Sequence, residues 1–308
     1  MPYTLAATVA ALIIATAWWR LFRSVEAPAP SLSAPVTLER MGKRTYNTFV
    51  PARLSEAPAL LLVLHGSHGD AGQMRRYTGH EFERLADEHG FIVVYPEGYG
   101  GYWNDARRMG GYAAKRLDID DVAFVRAIVA RYQQERGVAR VFAVGYSNGG
   151  YMCIRTALEA ADIIDAIATF GANVPTDDNC VSPALARPMP AMFVNGTRDP
   201  ITPYGGGRVT IFGFGNRGTV RSALASAEYF AARLGGDVTV EESENRRQWT
   251  SPTGGRVLLY TVHGGGHVIP QPRYRFAGIM GYTEMQFNAP AACWDFFSSS
   301  TRVAATSS

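Results

Sequence analysis

The sequence predicts an α/β protein with a mostly parallel central sheet covered by helices on both faces. Three observations carry that expectation. Short, unbroken apolar runs such as Leu60–Leu64 and Phe91–Pro96 lack the in–out alternation of a half-solvated sheet, and they suit strands buried on both sides. Helical patterns alternate with these runs along the chain, which is the order that builds parallel strands. The 308 residues are 47% hydrophobic and 19% charged, ordinary for a globular chain with a sizeable core.

The elements follow in chain order. Arg44–Val50 alternates like a half-buried strand, and Leu60–Leu64 reads as a central one. Phe82–His89 reads as a helix and Phe91–Pro96 as the next strand. Asp118–Arg136 is a long amphipathic helix that offers Val122, Phe124, Val125, Ile128 and Val129 for burial. Val141–Val144 is a β-branched run that stops at Gly145, with a helical pattern after it. Ile164–Phe170 and Ala191–Gly196 are further strands, Val220–Leu234 a helix, Arg256–Val262 the end of a hairpin, and Phe287–Phe297 part of a last helix. No second linker interrupts this series, so residues 36–308 are expected to form one domain.

What precedes that domain differs in composition. The first 19 residues carry no charged side chain, and Arg20 and Arg23 follow. The segment suits a signal-peptide core or a signal anchor over residues 1–23, and Ala15-Thr16-Ala17 resembles a cleavage site. No Lys or Arg precedes the apolar stretch, and the positive-inside rule applied to Arg20 and Arg23 opposes export. Export is the expectation, with either release or membrane attachment through residues 3–19. Residues 24–35, rich in Pro, Ala and Ser, read as a tether. A net charge of +3 without a basic run gives no reason to expect nucleic acid as a partner. The three cysteines, Cys153, Cys180 and Cys293, fit no zinc spacing, and no metal or cofactor is expected. Cys180 and Cys293 could pair in an exported protein.

Gly145-Tyr146-Ser147-Asn148-Gly149 surrounds one serine with small residues at a strand-to-helix junction. That spacing suits a sharp turn that exposes a nucleophilic side chain, because a Cβ two positions to either side would collide with the neighbouring strand or helix. A serine hydroxyl needs a base to take its proton, normally a histidine oriented by a carboxylate. Downstream of Ser147 the histidines are His263 and His267, in "TVHGGGHVIP". His267, beyond three glycines, has the reach to turn over the serine, while His263 sits at a strand end and reads as structural. Asp199 follows the strand that ends near Asn195 and is the favoured acid, with Asp237, Glu241 and Glu242 as rivals. Asn195-Gly196-Thr197 is formally a glycosylation acceptor, but a sugar there would crowd Asp199. The His65–Gly69 loop ends a strand, and the backbone N–H of Ser67, or of His68 as second choice, joins that of Asn148 as an oxyanion donor pair. His65 itself reads as a structural tie.

Together "LHGSHGD", "YPEG" with "YWND", "DIDDVAFV", "GYSNGGYM", "NGTRDPITPYGGG" and "GGGH" resemble the polyhydroxybutyrate depolymerase and feruloyl esterase group, carbohydrate-esterase family 1 of the α/β-hydrolases. The likeness runs from about Tyr46 to the final "CWDFF". It implies an α/β-hydrolase fold, hydrolysis of carboxylic esters without metal or cofactor, work outside the cytoplasm, and nucleophile, acid and histidine at Ser147, Asp199 and His267. The chain departs from the family where Thr-Trp-Pro often follows the histidine, reading Val268-Ile269-Pro270, and where His-Gly-Thr often precedes the acid, reading Asn195-Gly196-Thr197.

The loop-like segment Gly98–Arg116 sets Tyr99, Tyr102, Trp103 and Tyr112 among glycines and basic residues. Trp103 and Asn104 match a family motif near the active site and are expected to touch the substrate, a polymeric or aromatic ester. Tyr99 and Tyr112 are expected to pack back on the sheet. The expected activity is serine ester hydrolysis. An acyltransferase or serine peptidase with the same residues is the alternative, and a non-catalytic binding module is disfavoured by the intact Ser147, Asp199 and His267.

Overall fold

A computed structural model describes residues 15–19 and 21–300 of the chain. Most of the expected signal segment, residues 1–14 with Arg20, lies outside the described residues. Among the described residues no helix is long and apolar enough to cross a membrane.

Ten strands form one sheet. In chain order they are β1 (Thr37–Met41), β2 (Arg44–Phe49), β3 (Ala59–Leu64), β4 (Ile92–Pro96), β5 (Arg140–Tyr146), β6 (Ala166–Phe170), β7 (Ala191–Gly196), β8 (Thr239–Ser243), β9 (Arg246–Thr250) and β10 (Arg256–Val262). Across the sheet they run β8-β9-β10-β7-β6-β5-β3-β4-β2-β1. The middle six, from β10 to β4, are parallel, and an antiparallel pair flanks each end. This is the α/β-hydrolase architecture that the sequence predicts. The expected hairpin before Val262 is in fact the three-stranded meander β8-β9-β10.

Period-2 geometry sends the apolar side chains of one strand to both faces. Leu60, Leu62 and Leu64 of β3 enter one core, with Ile128, Ile154 and Phe230; Leu61 and Val63 enter the other, with Phe82, Phe296 and Phe297. The first core is covered by α4 (Asp121–Arg136), α5 (Asn148–Glu159) and α6 (Ala223–Ala231). The second is covered by α1 (Ala71–Tyr77), α2 (Glu81–His89) and α7 (Ala289–Ser299), with the single turn α3 (Ala113–Arg116) at the surface loop before α4. Strand order reverses at β3: the chain goes to β4 on one side and then returns to β5 on the other. Loops leaving β3 and β5 therefore part in opposite directions and open a crevice at the carboxyl ends of those two strands.

One expectation is corrected and one open pairing is answered. The stretch expected to be a tether is laid down on the domain. Val25–Glu26 pairs antiparallel with Tyr274–Arg275, Ser33 N donates to Asp87 Oδ2 at 2.9 Å, and Leu32, Ala34 and Val36 pack against the second core. A Pro- and Ala-rich composition disfavours helix and strand, but it does not prevent apolar side chains from docking. The Cys180–Cys293 pair is not formed: all three cysteines are free, and Cys180 packs on the first core while Cys293 lies within the second, across the sheet.

Candidate active site

Ser147 stands between β5 and α5 with φ 53° and ψ −118°, a backbone region that non-glycine residues seldom occupy and that costs on the order of 1–3 kcal/mol. Close packing enforces it. A Cβ on Gly145 would lie 2.2 Å from the Gly149 carbonyl oxygen, and one on Gly149 would lie 2.2 Å from that of Leu64. The turn pushes Ser147 out, and it is the half-exposed residue in an otherwise buried run from Val141 to Ile154.

Asp199, just past β7, and His267, just past β10, meet each other. Asp199 Oδ2 lies 2.7 Å from His267 Nδ1, and both side chains are only 1% exposed. The other carboxylate oxygen accepts the backbone N–H groups of Ile201 (2.7 Å) and Thr202 (2.8 Å), which fixes the rotation of the carboxylate. With Nδ1–H donated to Asp199, His267 Nε2 carries the lone pair; it is buried and has no hydrogen-bond partner among the described residues.

Two residues that no motif marks link this pair to the Ser147 turn. Tyr146 donates its hydroxyl to the His267 carbonyl at 2.7 Å, and burial holds that phenol well above its ordinary pKa, so it stays a donor. Gly171, at φ +61°, accompanies them: its neighbour Phe170 accepts the Ser147 N–H at 2.9 Å, while a Cβ on Gly171 would lie 2.9 Å from the His267 ring. A side chain at Gly171 would collide with the imidazole, so the β6 end can pack against His267 only with a glycine there. The other proposed acids and base lie elsewhere. Asp237, Glu241 and Glu242 are exposed at or before the outermost strand, β8, and exposed His263 reaches the Glu244 carbonyl at 3.1 Å. Asn195 is buried and bonded to Asn173, so it presents no glycosylation site.

On the crevice's other wall the β3 loop carries half-exposed Ser67 and exposed His68. A Cβ on Gly66 would sit 3.5 Å from Ser147 Cβ, so this loop lies directly against Ser147. Asn148, the first residue of α5, has one of the backbone N–H groups that a helix leaves unpaired at its start. His65 is buried at the loop's root, where its Nδ1 faces the Gly66 carbonyl at 2.7 Å and its Nε2 accepts the Gly98 N–H at 2.9 Å. It joins the β3 loop to the β4 loop, as expected of a structural tie.

Burial pushes the His65 pKa from 6.5 down to about 4, outweighing the Gly66 carbonyl. The folded state thus takes up this proton at lower pH than the unfolded chain, and stability falls as pH drops from 6.5 towards 4, by up to about 3 kcal/mol at the lower end. Melting curves across that window should be less steep against pH for His65→Asn than for the wild type. Parallel slopes would mean that His65 is not held neutral.

The aromatic loop departs from expectation. Trp103 and Asn104 do not face the crevice. Trp103 is wholly buried and donates its indole N–H to the His65 carbonyl at 2.9 Å; Asn104 is buried and donates to Asp118 and to the Ile119 carbonyl. They brace the loops. Tyr112 is buried as expected, but Tyr99 is 41% exposed, and half-exposed Tyr102 stacks on Tyr112 with ring centres 4.9 Å apart while its hydroxyl meets His68 Nε2. Val268, Ile269 and Pro270 are buried too, so they form no wall of a cleft.

Known proteins share this arrangement of chain. NocK of Nocardia uniformis subsp. tsuyamanensis, which is named as an esterase, is 30% identical over 267 residues, covering 79% of this chain and 75% of that protein. Feruloyl esterase B of Piromyces equi is 28% identical over 225 residues, covering 69% of this chain and 40% of that protein. A bifunctional acetylxylan esterase/xylanase of Neocallimastix patriciarum is 29% identical over 177 residues, covering 54% of this chain and 23% of that protein. The chain thus spans three-quarters of the first relative and less than half of the other two. Among solved structures, an acetyl xylan esterase from Aspergillus awamori superposes with a TM-score of 0.52 at 16% identity, over 77% of this chain and 95% of that one, a likeness of fold. No family profile matches the chain. The long alignment with NocK, together with these esterases and the shared fold, makes the chain a member of the esterase group of α/β-hydrolases, a serine carboxylic-ester hydrolase.

Proposed function

We propose that the protein hydrolyses acetyl or feruloyl-type esters carried on polysaccharide, through an acyl-enzyme formed on Ser147. His267 Nε2 removes the Ser147 proton as Oγ attacks the ester carbonyl carbon. The resulting oxyanion is held by the backbone N–H groups of Ser67 and Asn148. The imidazolium, stabilised by Asp199, then protonates the departing alcohol; a water deprotonated by the same nitrogen releases the acid and frees the serine.

The observation that carries this reading is the lone, buried Nε2 of His267. An unpaired buried acceptor is unfavourable unless it serves a group that comes and goes, and Ser147 is linked to this ring on both sides: its neighbour Tyr146 bonds the His267 carbonyl, and its own N–H bonds Phe170, next to the Gly171 that packs on the imidazole. The substrate class rests on the names of the relatives and on the exposed His68 and Tyr99 at the β3 and β4 loops, whose rings could meet a sugar or an aryl acyl group. Work outside the cytoplasm belongs to the same proposal. The described part of the leader exposes Trp18, Trp19, Leu21 and Phe22, side chains suited to a membrane surface or to removal with a signal peptide.

Purified protein should cleave p-nitrophenyl acetate and lose that activity after treatment with a serine-directed phosphonate. On a panel of soluble acetylated xylan oligomers, feruloyl esters and hydroxybutyrate oligomers, one of the first two should be preferred. Preference for hydroxybutyrate would overturn the substrate class. Activity indifferent to the phosphonate would overturn the mechanism.

A further inference from the structure

Behind the crevice lies a buried charged cluster that plays no part in the steps above. Asp105 is wholly buried, Arg107 is 2% exposed, and they form an ion pair with Nη2–Oδ2 at 2.5 Å and Nε–Oδ1 at 3.2 Å. Arg107 also lies over the Tyr151 ring of α5, 3.8 Å from its centre. Tyr112 donates its hydroxyl to Asp105 Oδ2 at 2.7 Å, and Lys115 Nζ lies 3.9 Å from Oδ1. The Arg107 backbone N–H donates to Oδ1 at 2.9 Å, and Asn148 Nδ2 donates to Oδ2 at 2.5 Å.

A buried ion pair is seldom the best way to stabilise a core, since well-packed apolar residues often do as well. This one sits where it touches the residue after the nucleophile. The Asn148 carboxamide is gripped on three sides: Nδ2 by Asp105 and by the Trp103 carbonyl at 3.2 Å, and Oδ1 by the Trp103 N–H at 2.8 Å. Holding that side chain fixes the first peptide of α5, which otherwise has no partner for its N–H.

We infer that Asp105 is a positioning residue for ester hydrolysis: through the Asn148 carboxamide it keeps the Asn148 backbone N–H aimed at the oxyanion. The inference rests on the serine mechanism proposed above. Arg107 makes the device workable, because a bare carboxylate so near the developing negative charge would oppose it. Burial alone would raise the Asp105 pKa, but Arg107 with Lys115 and Tyr112 outweighs it and holds the carboxyl below its ordinary value, while Asp105 in turn raises that of Arg107. The pair thus stays ionised and internally neutralised, so the grip on Asn148 does not come and go across the working pH range.

The test compares the full-length wild type with Asp105→Asn and Tyr112→Phe, using p-nitrophenyl acetate and a boronic acid that forms a tetrahedral adduct on Ser147. Asn in place of Asp105 loses the ion pair and can turn a donor towards Asn148 Nδ2. In Asp105→Asn, kcat should fall about 10- to 100-fold with KM within about twofold, because a misaimed oxyanion donor is felt in the transition state and not in substrate binding. Boronate affinity should fall in parallel with kcat. Tyr112→Phe removes one donor from Asp105 and keeps the ion pair, so kcat and boronate affinity should both fall by about two- to fivefold. A folded Asp105→Asn with unchanged kcat, or with a loss confined to KM, overturns the inference. If Asp105→Asn does not fold, Tyr112→Phe decides, and unchanged kcat and boronate affinity overturn it. A wild type that forms no adduct at Ser147 instead removes the serine mechanism, and the inference falls with it.

Discussion

Ser147→Ala should lower ester hydrolysis on the order of 10^4-fold or more, because the members of such a constellation act as a unit and the loss of one disables the rest. The fold should survive. The Ser147 side chain makes no hydrogen bond among those of the described residues, and its backbone is fixed by its N–H to Phe170 and by the packing around Gly145 and Gly149. Alanine suffers the same positive φ as serine, so the strained turn is neither relieved nor worsened. Circular dichroism and the melting temperature should therefore match the wild type while turnover of p-nitrophenyl acetate and phosphonate labelling both vanish. Retention of most activity in the folded variant would dismiss Ser147 as nucleophile.

The second large effect belongs to Asp199→Asn. Asp199 Oδ1 is committed to the N–H groups of Ile201 and Thr202, which an asparagine can satisfy only with its carbonyl oxygen. The amide nitrogen must then occupy the place of Oδ2, 2.7 Å from His267 Nδ1. Two N–H groups cannot face each other, so the ring gives up its Nδ1 proton and carries one on Nε2. In that tautomer it cannot take the serine proton. The turnover number should drop by roughly 10^3 to 10^4 while KM changes little. His263→Ala should stay within about twofold of the wild type, since that side chain is exposed and its bond is to the Glu244 carbonyl. If His263→Ala is the inactive variant, the base has been misassigned. If Asp199→Asn turns over normally, the carboxylate at 2.7 Å is not the one that matters.

The legible parts of the sequence are those where one physical demand dominates. Central strands such as Leu60–Leu64 are buried on both faces and leave an unbroken apolar run, and the elbow leaves glycines because backbone passes backbone there. The edge strands Thr37–Met41 and Thr239–Ser243 are largely exposed, so no apolar pattern marks them. Trp103 was expected to touch the substrate because it matches a family motif near the active site, but the motif does not tell a cleft residue from a buried brace, and the bond to the His65 carbonyl makes it a brace. Nothing in the sequence singles out Asp105 and Arg107. Their pairing is satisfied in three dimensions by Tyr112, Tyr151 and Asn148, residues far enough along the chain that spacing carries no trace of it. Gly171 and Tyr146 act by packing against and bonding to His267, and a single sequence has no mark for that.

The docked course of residues 25–36 would decide how far the domain stands from a support, were its leader retained at one. Twelve free residues would give a leash of up to ~40 Å, long enough for the domain to tumble and face any direction. With Val25–Glu26 zipped to Tyr274–Arg275 and Ser33 fastened to Asp87, almost none of that length is slack. Tyr274 lies seven residues beyond His267 on the same stretch of chain, so a pull on the leader is delivered close to the crevice and not at the far side of the domain. An enzyme held this way would work at short range on what lies against its own support, with its orientation set by the strap and not by diffusion.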